Sequence, residues 1–206
     1  MVRFKSFIIT LLSLAMLLGS LESRAQKTGF RYGFEWGVSS LVMNAYHYNF
    51  LTDEGFRVND TGIESPLISN MGILGHIDLC VADLMTFSLC SGYMGVNANR
   101  RIIPVSGRVC FSPKGCYEDG VLAFIDAGIG INSIKSDYVL ILSKAGTGYR
   151  YALSPSLSLD FLVNAQVAID HPEVWDKVAQ SYVSAVHVRR SDAFYLALGV
   201  SIALTF

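Results

Sequence analysis

The chain predicts an all-β fold: an eight-stranded antiparallel up-and-down transmembrane β-barrel, preceded by a cleaved signal peptide. Three observations carry this. The last sixteen residues, Ser191 to Phe206, alternate large apolar side chains (Phe194, Leu196, Leu198, Val200, Ile202, Leu204, Phe206) with small or weakly polar ones (Ala193, Tyr195, Ala197, Gly199, Ser201, Ala203, Thr205). That is the period-two pattern of a strand with one apolar face. The alternation recurs along the whole chain. And although 51% of the residues are hydrophobic, no apolar run after Ala25 approaches the ~20 residues that a spanning helix requires.

The first 25 residues read as a targeting segment. Arg3 and Lys5 form a positive start, Phe7 to Leu21 an apolar stretch, and Ser23-Arg24-Ala25 a small-residue cleavage site. Cleavage is expected before Gln26, leaving one domain over 26–206 and an exported chain. Removing Arg3, Lys5, Arg24 and Glu22 leaves a net charge of −3. Nothing in that balance suggests a nucleic-acid partner.

Eight strands follow in order. The first, about Phe30 to Val42, sets Phe30, Tyr32, Phe34, Trp36 and Val38 against Arg31, Gly33, Glu35, Gly37 and Ser39. A loop is expected from Tyr48 to Ser69. The second strand, about Asn70 to Val81, opposes Met71, Ile73, Ile77 and Leu79 to His76, Asp78 and Cys80. The third, Thr86 to Val96, opposes Phe87, Leu89 and Tyr93 to Ser88, Cys90 and Gly92. The fourth opposes Ile103, Val105, Val109 and Phe111 to Ser106, Arg108 and Cys110. Turn residues Pro113, Gly115 and Gly120 come next. The fifth strand places Val121, Ile125, Ile129 and Ile131 opposite Phe124, Asp126 and Asn132. The sixth, Tyr138 to Leu153, sets Tyr149 and Tyr151 against Lys144, Gly146, Gly148 and Arg150. The seventh sets Leu157, Leu159, Phe161, Val163 and Val167 against Ser158, Asp160, Asn164 and Gln166. The connection from Ile169 to Arg190 then leads to the closing strand.

The connections near Asp83, Pro113 and Pro155 are tight or moderate. Two of the others, those beginning near Tyr48 and Ile169, are long. Short turns at one end and longer loops at the other are the habit of outer-membrane barrels. With this asymmetry, the strand number and the aromatic Phe206 in register with the apolar face, the mature chain resembles the small eight-stranded outer-membrane proteins of the OmpA and OmpX kind, including the PorT-like group. The resemblance implies residence in the outer membrane of a Gram-negative envelope and contact with outer-membrane lipid. It also implies insertion by the barrel assembly machinery, with Phe206 as part of the assembly signal.

The polar face carries Arg31, Glu35, Asp78, Arg108, Asp126, Lys144, Arg150 and Asp160, with His76 beside them. Four positive and four negative charges inside a barrel just wide enough for its own side chains must pair. A salt-bridged plug is therefore expected, with Lys144 and Arg150 offsetting Asp126 and Asp160. A narrow pore would need room and often one sign of charge. A lipid-modifying enzyme is the rival from another class, and His76 with Asp78 is the pair it would use, near Ser88 or Ser106. No histidine is followed two places later by serine, the pair a lipid-A deacylase type of barrel carries. No catalytic residue, metal or cofactor is assigned.

Cys80, Cys90, Cys110 and Cys116 could pair as disulfides in an oxidising periplasm, and Cys80–Cys90 with Cys110–Cys116 is the most local pattern. As small apolar fillers they would stay free. Between Asp170 and Arg190, Pro172 and Glu173 suit a helix start, and Val174, Val178 and Tyr182 recur every fourth residue beside Trp175. A short helix carrying this stripe is expected, either packed across the barrel mouth against Phe50 and Phe56 or binding an envelope protein. Function is expected in these outer loops, or in lateral contact with an envelope assembly.

Overall fold

In the computed structural model, the described residues are 29–52, 54–98, 100–132, 139–176 and 178–206. The targeting segment and its cleavage before Gln26 lie outside them. Among the described residues there are eleven strands: β1 (Phe30–Leu51), β2 (Arg57–Glu64), β3 (Ile68–Ala82), β4 (Met85–Gly95), β5 (Arg101–Phe111), β6 (Gly120–Asn132), β7 (Val139–Ala152), β8 (Ser158–Asp170), β9 (Trp175–Asp176), β10 (Ser181–Tyr182) and β11 (Val188–Thr205). The sheet runs β11-β8-β7-β6-β5-β4-β3-β1-β2, and β11 also pairs with β1. Eight strands thus close into a barrel in which every neighbour is antiparallel. Closure matters physically, because a spanning sheet with an open edge would leave backbone N–H and C=O groups unpaired in lipid.

The alternation places large apolar side chains outward. Trp36, Ile73, Ile77, Leu89, Ile125, Ile141, Val163 and Val200 are each more than half exposed around the wall. A continuous apolar belt of this size is a membrane surface, not a water surface. Near the short-turn end Phe30, Phe87, Phe111, Tyr151 and Phe161 face outward, and Tyr149 and Tyr151 pack together at 4.7 Å. Such an aromatic girdle belongs at a membrane interface. Phe206 exchanges both backbone hydrogen bonds with Tyr32 and stacks on its ring at 5.9 Å.

The first connection is built differently from the expected loop. β1 continues past Val42 to Leu51, and β2 folds back on its upper half from Asn44–Glu64 to Leu51–Arg57. The reason is a bulge between Leu41 and Met43. One extra residue flips the alternation, so Leu41 and then Asn44, Tyr46, Tyr48 and Phe50 share the inward side with Ala197, Tyr195, Ala193 and Ser191. Gly62 leaves the space that the Tyr46 ring fills; a Cβ there would stand 2.6 Å from its hydroxyl. On the outer face of this extension His47 and Asn49 both hydrogen-bond Asn59, and Arg57 bonds Asn49. A polar ladder replaces the apolar belt, so the β1–β2 hairpin stands above the bilayer.

Candidate functional site

The lumen is layered. Nearest the short turns, Arg31 on β1, His76 and Asp78 on β3, and Arg150 and Asp160 on β7 and β8 face inward, all nearly buried. Arg150 grips Asp160 with two bonds of 2.8 and 2.6 Å, the fork-to-carboxylate geometry that suits a guanidinium. Arg31 lies 3.9 Å from Asp78, and His76 Nδ1 lies 2.9 Å from Asp78 Oδ1. An ionised carboxylate only accepts, so Nδ1 carries the proton. Gly33 makes room for this ring, since a Cβ there would meet His76 Nε2 at 2.7 Å.

Midway along the axis a second cluster crosses the lumen. Arg108 on β5 holds Asp126 on β6 with bonds of 2.7 and 3.0 Å, and Glu35 on β1 at 2.6 Å. Lys144 on β7 donates to Glu35 at 2.9 Å and lies 3.6 Å from Asp126. Ser201 on β11 adds a third donor to Glu35 at 2.9 Å. The Phe124 ring lies under both cations, 4.7 Å from Arg108 and 5.7 Å from Lys144. Five strands are tied together across the lumen by this cluster. Lys144 has its closer partner in Glu35; the expected offset of Asp126 falls mainly to Arg108.

Above it the lumen is apolar, a feature that the sequence reading missed. Leu41, Val96, Ile102, Leu140, Leu142, Ala168, Ala193 and Tyr195 form one packed cluster. Cavities of about 40, 20 and 30 Å³ lie between the layers, enough for a water or two each. A larger depression of about 450 Å³ lies on the outer wall, lined by Trp36, Val38, Phe161, Val163, Val200 and Ile202.

At the long-loop end the buried Asp170 receives Arg100 at 2.8 Å, closing the rim over the apolar layer. The segment expected to be a helix is a β-hairpin: β9 pairs with β10, and Trp175 meets Tyr182 edge-to-face at 4.9 Å. Asp176 Oδ1 accepts the Val178 and Ala179 N–H groups, making an Asx turn, and Gln180 takes a positive φ of 52°. The four-residue recurrence therefore does not form one stripe. Val174 is buried, whereas Trp175, Val178 and Tyr182 are exposed, as is Phe56.

No disulfide joins the four cysteines in this structure. Cys90 lies opposite His76 and Ser106, and Cys80 opposite Thr86, so the local Cys80–Cys90 pairing is not formed. Among the described residues no three metal-ligating side chains converge. His76 Nε2 has no hydrogen-bond partner among them, so Ser88 and Ser106 do not complete a nucleophile–histidine–acid chain there. Ser88 stands opposite Asp78 in the β3–β4 ladder.

No protein-family profile matches this chain, and no curated protein sequence matches it. Solved structures do resemble it. The outer membrane protein OprG from Pseudomonas aeruginosa is similar at 9% identity over 87% of this chain and 97% of that one, with a TM-score of 0.49. Neisserial surface protein A, NspA, is similar at 12% identity over 81% and 95%, with a TM-score of 0.33. The outer membrane protease OmpT from Escherichia coli is similar at 8% identity over 86% and 96%, with a TM-score of 0.30. These likenesses concern the fold alone. With its closed antiparallel wall and apolar belt, this chain has the fold of an eight-stranded transmembrane β-barrel.

Proposed function

We propose that this barrel is not an enzyme, that its lumen is closed by paired charges, and that it acts through its loop crown as a receptor surface or as one component of an envelope assembly. The observation that carries this reading is the Glu35–Arg108–Asp126–Lys144 cluster, which spans the lumen beneath a packed apolar layer. A barrel filled in this way has its free chemistry at the rim, where Trp175, Val178 and Tyr182 are exposed on a short hairpin. Recording across a planar bilayer tests the closure. The purified barrel is expected to show no conductance steps, and stable steps would instead favour a narrow pore. The partner is sought by photo-crosslinking from position 175 in the intact envelope.

One observation favours the rival reading of a lipid-modifying enzyme: His76 and Asp78 form a buried hydrogen-bonded pair whose Nε2 is unused. Replacing His76 by Phe is expected to leave the envelope lipid profile unchanged. A lipid species that accumulates only in the variant would turn the assignment toward catalysis.

A further inference from the structure

The turn between β5 and β6 does more than reverse the chain. It folds back under the short-turn mouth, where the Ser112 N–H donates to the Leu84 carbonyl and the Cys116 N–H to the Asp83 carbonyl, each at 2.8 Å. The Cys116 carbonyl in turn accepts from Arg31 at 2.9 Å and from Arg150 at 2.6 Å, two arginines of the lumen. The Arg31 guanidinium also lies over the Tyr117 ring, 4.9 Å from its centre. Residues 112–119 are thus a lid seated in the mouth.

The seat brings one pair of thiols together. Thr86 Oγ1 donates to Cys116 Sγ at 3.2 Å and lies 3.7 Å from Cys80 Sγ. A single hydroxyl touching both sulfurs confines their separation. Register disposes of most other pairings. Cys90 sits opposite His76, four residues along the strand from the level of Cys80, which is ~13 Å at the rise of a strand. It sits opposite Ser106, again four residues from Cys110. A disulfide needs Cα atoms within ~7 Å, so Cys90 reaches neither. Cys80 and Cys110 flank Thr86 from the two neighbouring strands, a gap of ~10 Å across two strand spacings. The Cys110 sulfur is turned instead toward Ser112, 3.9 Å away.

We propose that Cys80 and Cys116 form a disulfide that locks the β5–β6 lid into the barrel mouth. The inference rests on the short-turn end facing the periplasm, as short turns do in this class of barrel; it does not depend on the loop crown or on the absence of catalysis. The chemistry is thiol–disulfide exchange. The two thiols lose two protons and two electrons, one S–S bond forms between them, and the disulfide of a periplasmic thiol oxidant is cleaved to a dithiol. Cys80 is the half-buried member and Cys116 is only 2% exposed, so attack begins at Cys80 and Cys116 resolves the mixed disulfide.

The test uses the exported full chain, refolded in detergent and incubated with oxidised glutathione. It is then quenched with N-ethylmaleimide, unfolded, digested without reduction and mapped by mass spectrometry. The expected product is a peptide pair linked through Cys80 and Cys116, with Cys90 and Cys110 labelled after unfolding. On reduction the linked pair should disappear, and the temperature at which the folded gel band is lost should fall. Alkylation of both Cys80 and Cys116, or a link from either to Cys90 or Cys110, would overturn the assignment. A Cys116→Ser variant supplies the second check. Cys80 should then be labelled with no linked peptide of any kind, and a new Cys80–Cys90 or Cys80–Cys110 link would mean that the lid geometry does not select the pair. If that variant does not fold, the mapping of the natural sequence still decides.

Discussion

Arg108 is the side chain on which the middle of the lumen depends. It is the only arginine that touches both Glu35 and Asp126 among the described residues, and all three are nearly buried. Replacing it by Met leaves two buried carboxylates to one ammonium group, and breaking such a buried pair costs ~3–5 kcal/mol. Lys144→Met should cost less, because Arg108 still holds both carboxylates. Urea titration of the barrel in lipid vesicles, followed by tryptophan fluorescence, gives the ordering; equal losses would show that the two cations are equivalent. Exchanging Arg150 and Asp160 should recover part of what either reversal alone loses. Much of this was legible in the sequence. Alternation put Arg31, Glu35, His76, Asp78, Arg108, Asp126, Lys144, Arg150 and Asp160 on one face, and the structure places all nine inside. The partners were not legible. Glu35 meets residues 73 and 109 positions away, and only barrel closure decides who stands opposite whom.

Two elements depart from what periodicity alone gives, each through a single local feature. The bulge before Met43 makes the first strand look finished at Val42, because alternation there changes phase. Deleting Val42 should remove the bulge, set Leu41 and Met43 opposite Ala197 and Leu196 in regular alternation, and leave Tyr46, Tyr48 and Phe50 inward. The expected result is a β1–β2 hairpin that is retained, read as unchanged resistance to proteolysis between residues 57 and 64; new cleavage there would show that the bulge itself aims the extension. The second element is the hairpin of β9 and β10. Val174, Val178 and Tyr182 have helical spacing, but Asp176 accepts two backbone N–H groups and bends the chain into a turn before a helix can propagate. Asp176→Ala removes that turn and should cost ~1 kcal/mol locally, the magnitude of a lost capping bond. Faster amide exchange confined to 174–183 is the signature. The apolar outer lumen escaped notice for a related reason: Val139-Leu140-Ile141-Leu142 is apolar on both faces, so alternation is silent about which leucines point inward.

At the scale of the molecule, everything hangs on closure between β1 and β11. Their ladder runs from Gly33–Thr205 to Phe50–Val188, and without it both strands would present bare edges to lipid. A closed barrel keeps its compact form in cold detergent, so the unheated protein should run faster on a gel than the boiled one, with the mature chain starting at Gln26. Val200 lies in the middle of this seam, paired with Val38 on one side and Val163 on the other. Proline there cannot donate its ladder hydrogen bond and clashes with the regular pairing. Val200→Pro should therefore leave a large fraction migrating as unfolded chain without heating. The same substitution at Asn59 on β2, a strand outside the barrel wall, should leave the shift intact while disturbing only the crown. Should Val200→Pro keep the full mobility shift, the seam would not be what holds the sheet closed. The lumen charges would then be doing that work from inside, and the Arg108→Met variant would be the one to lose the fast-running band.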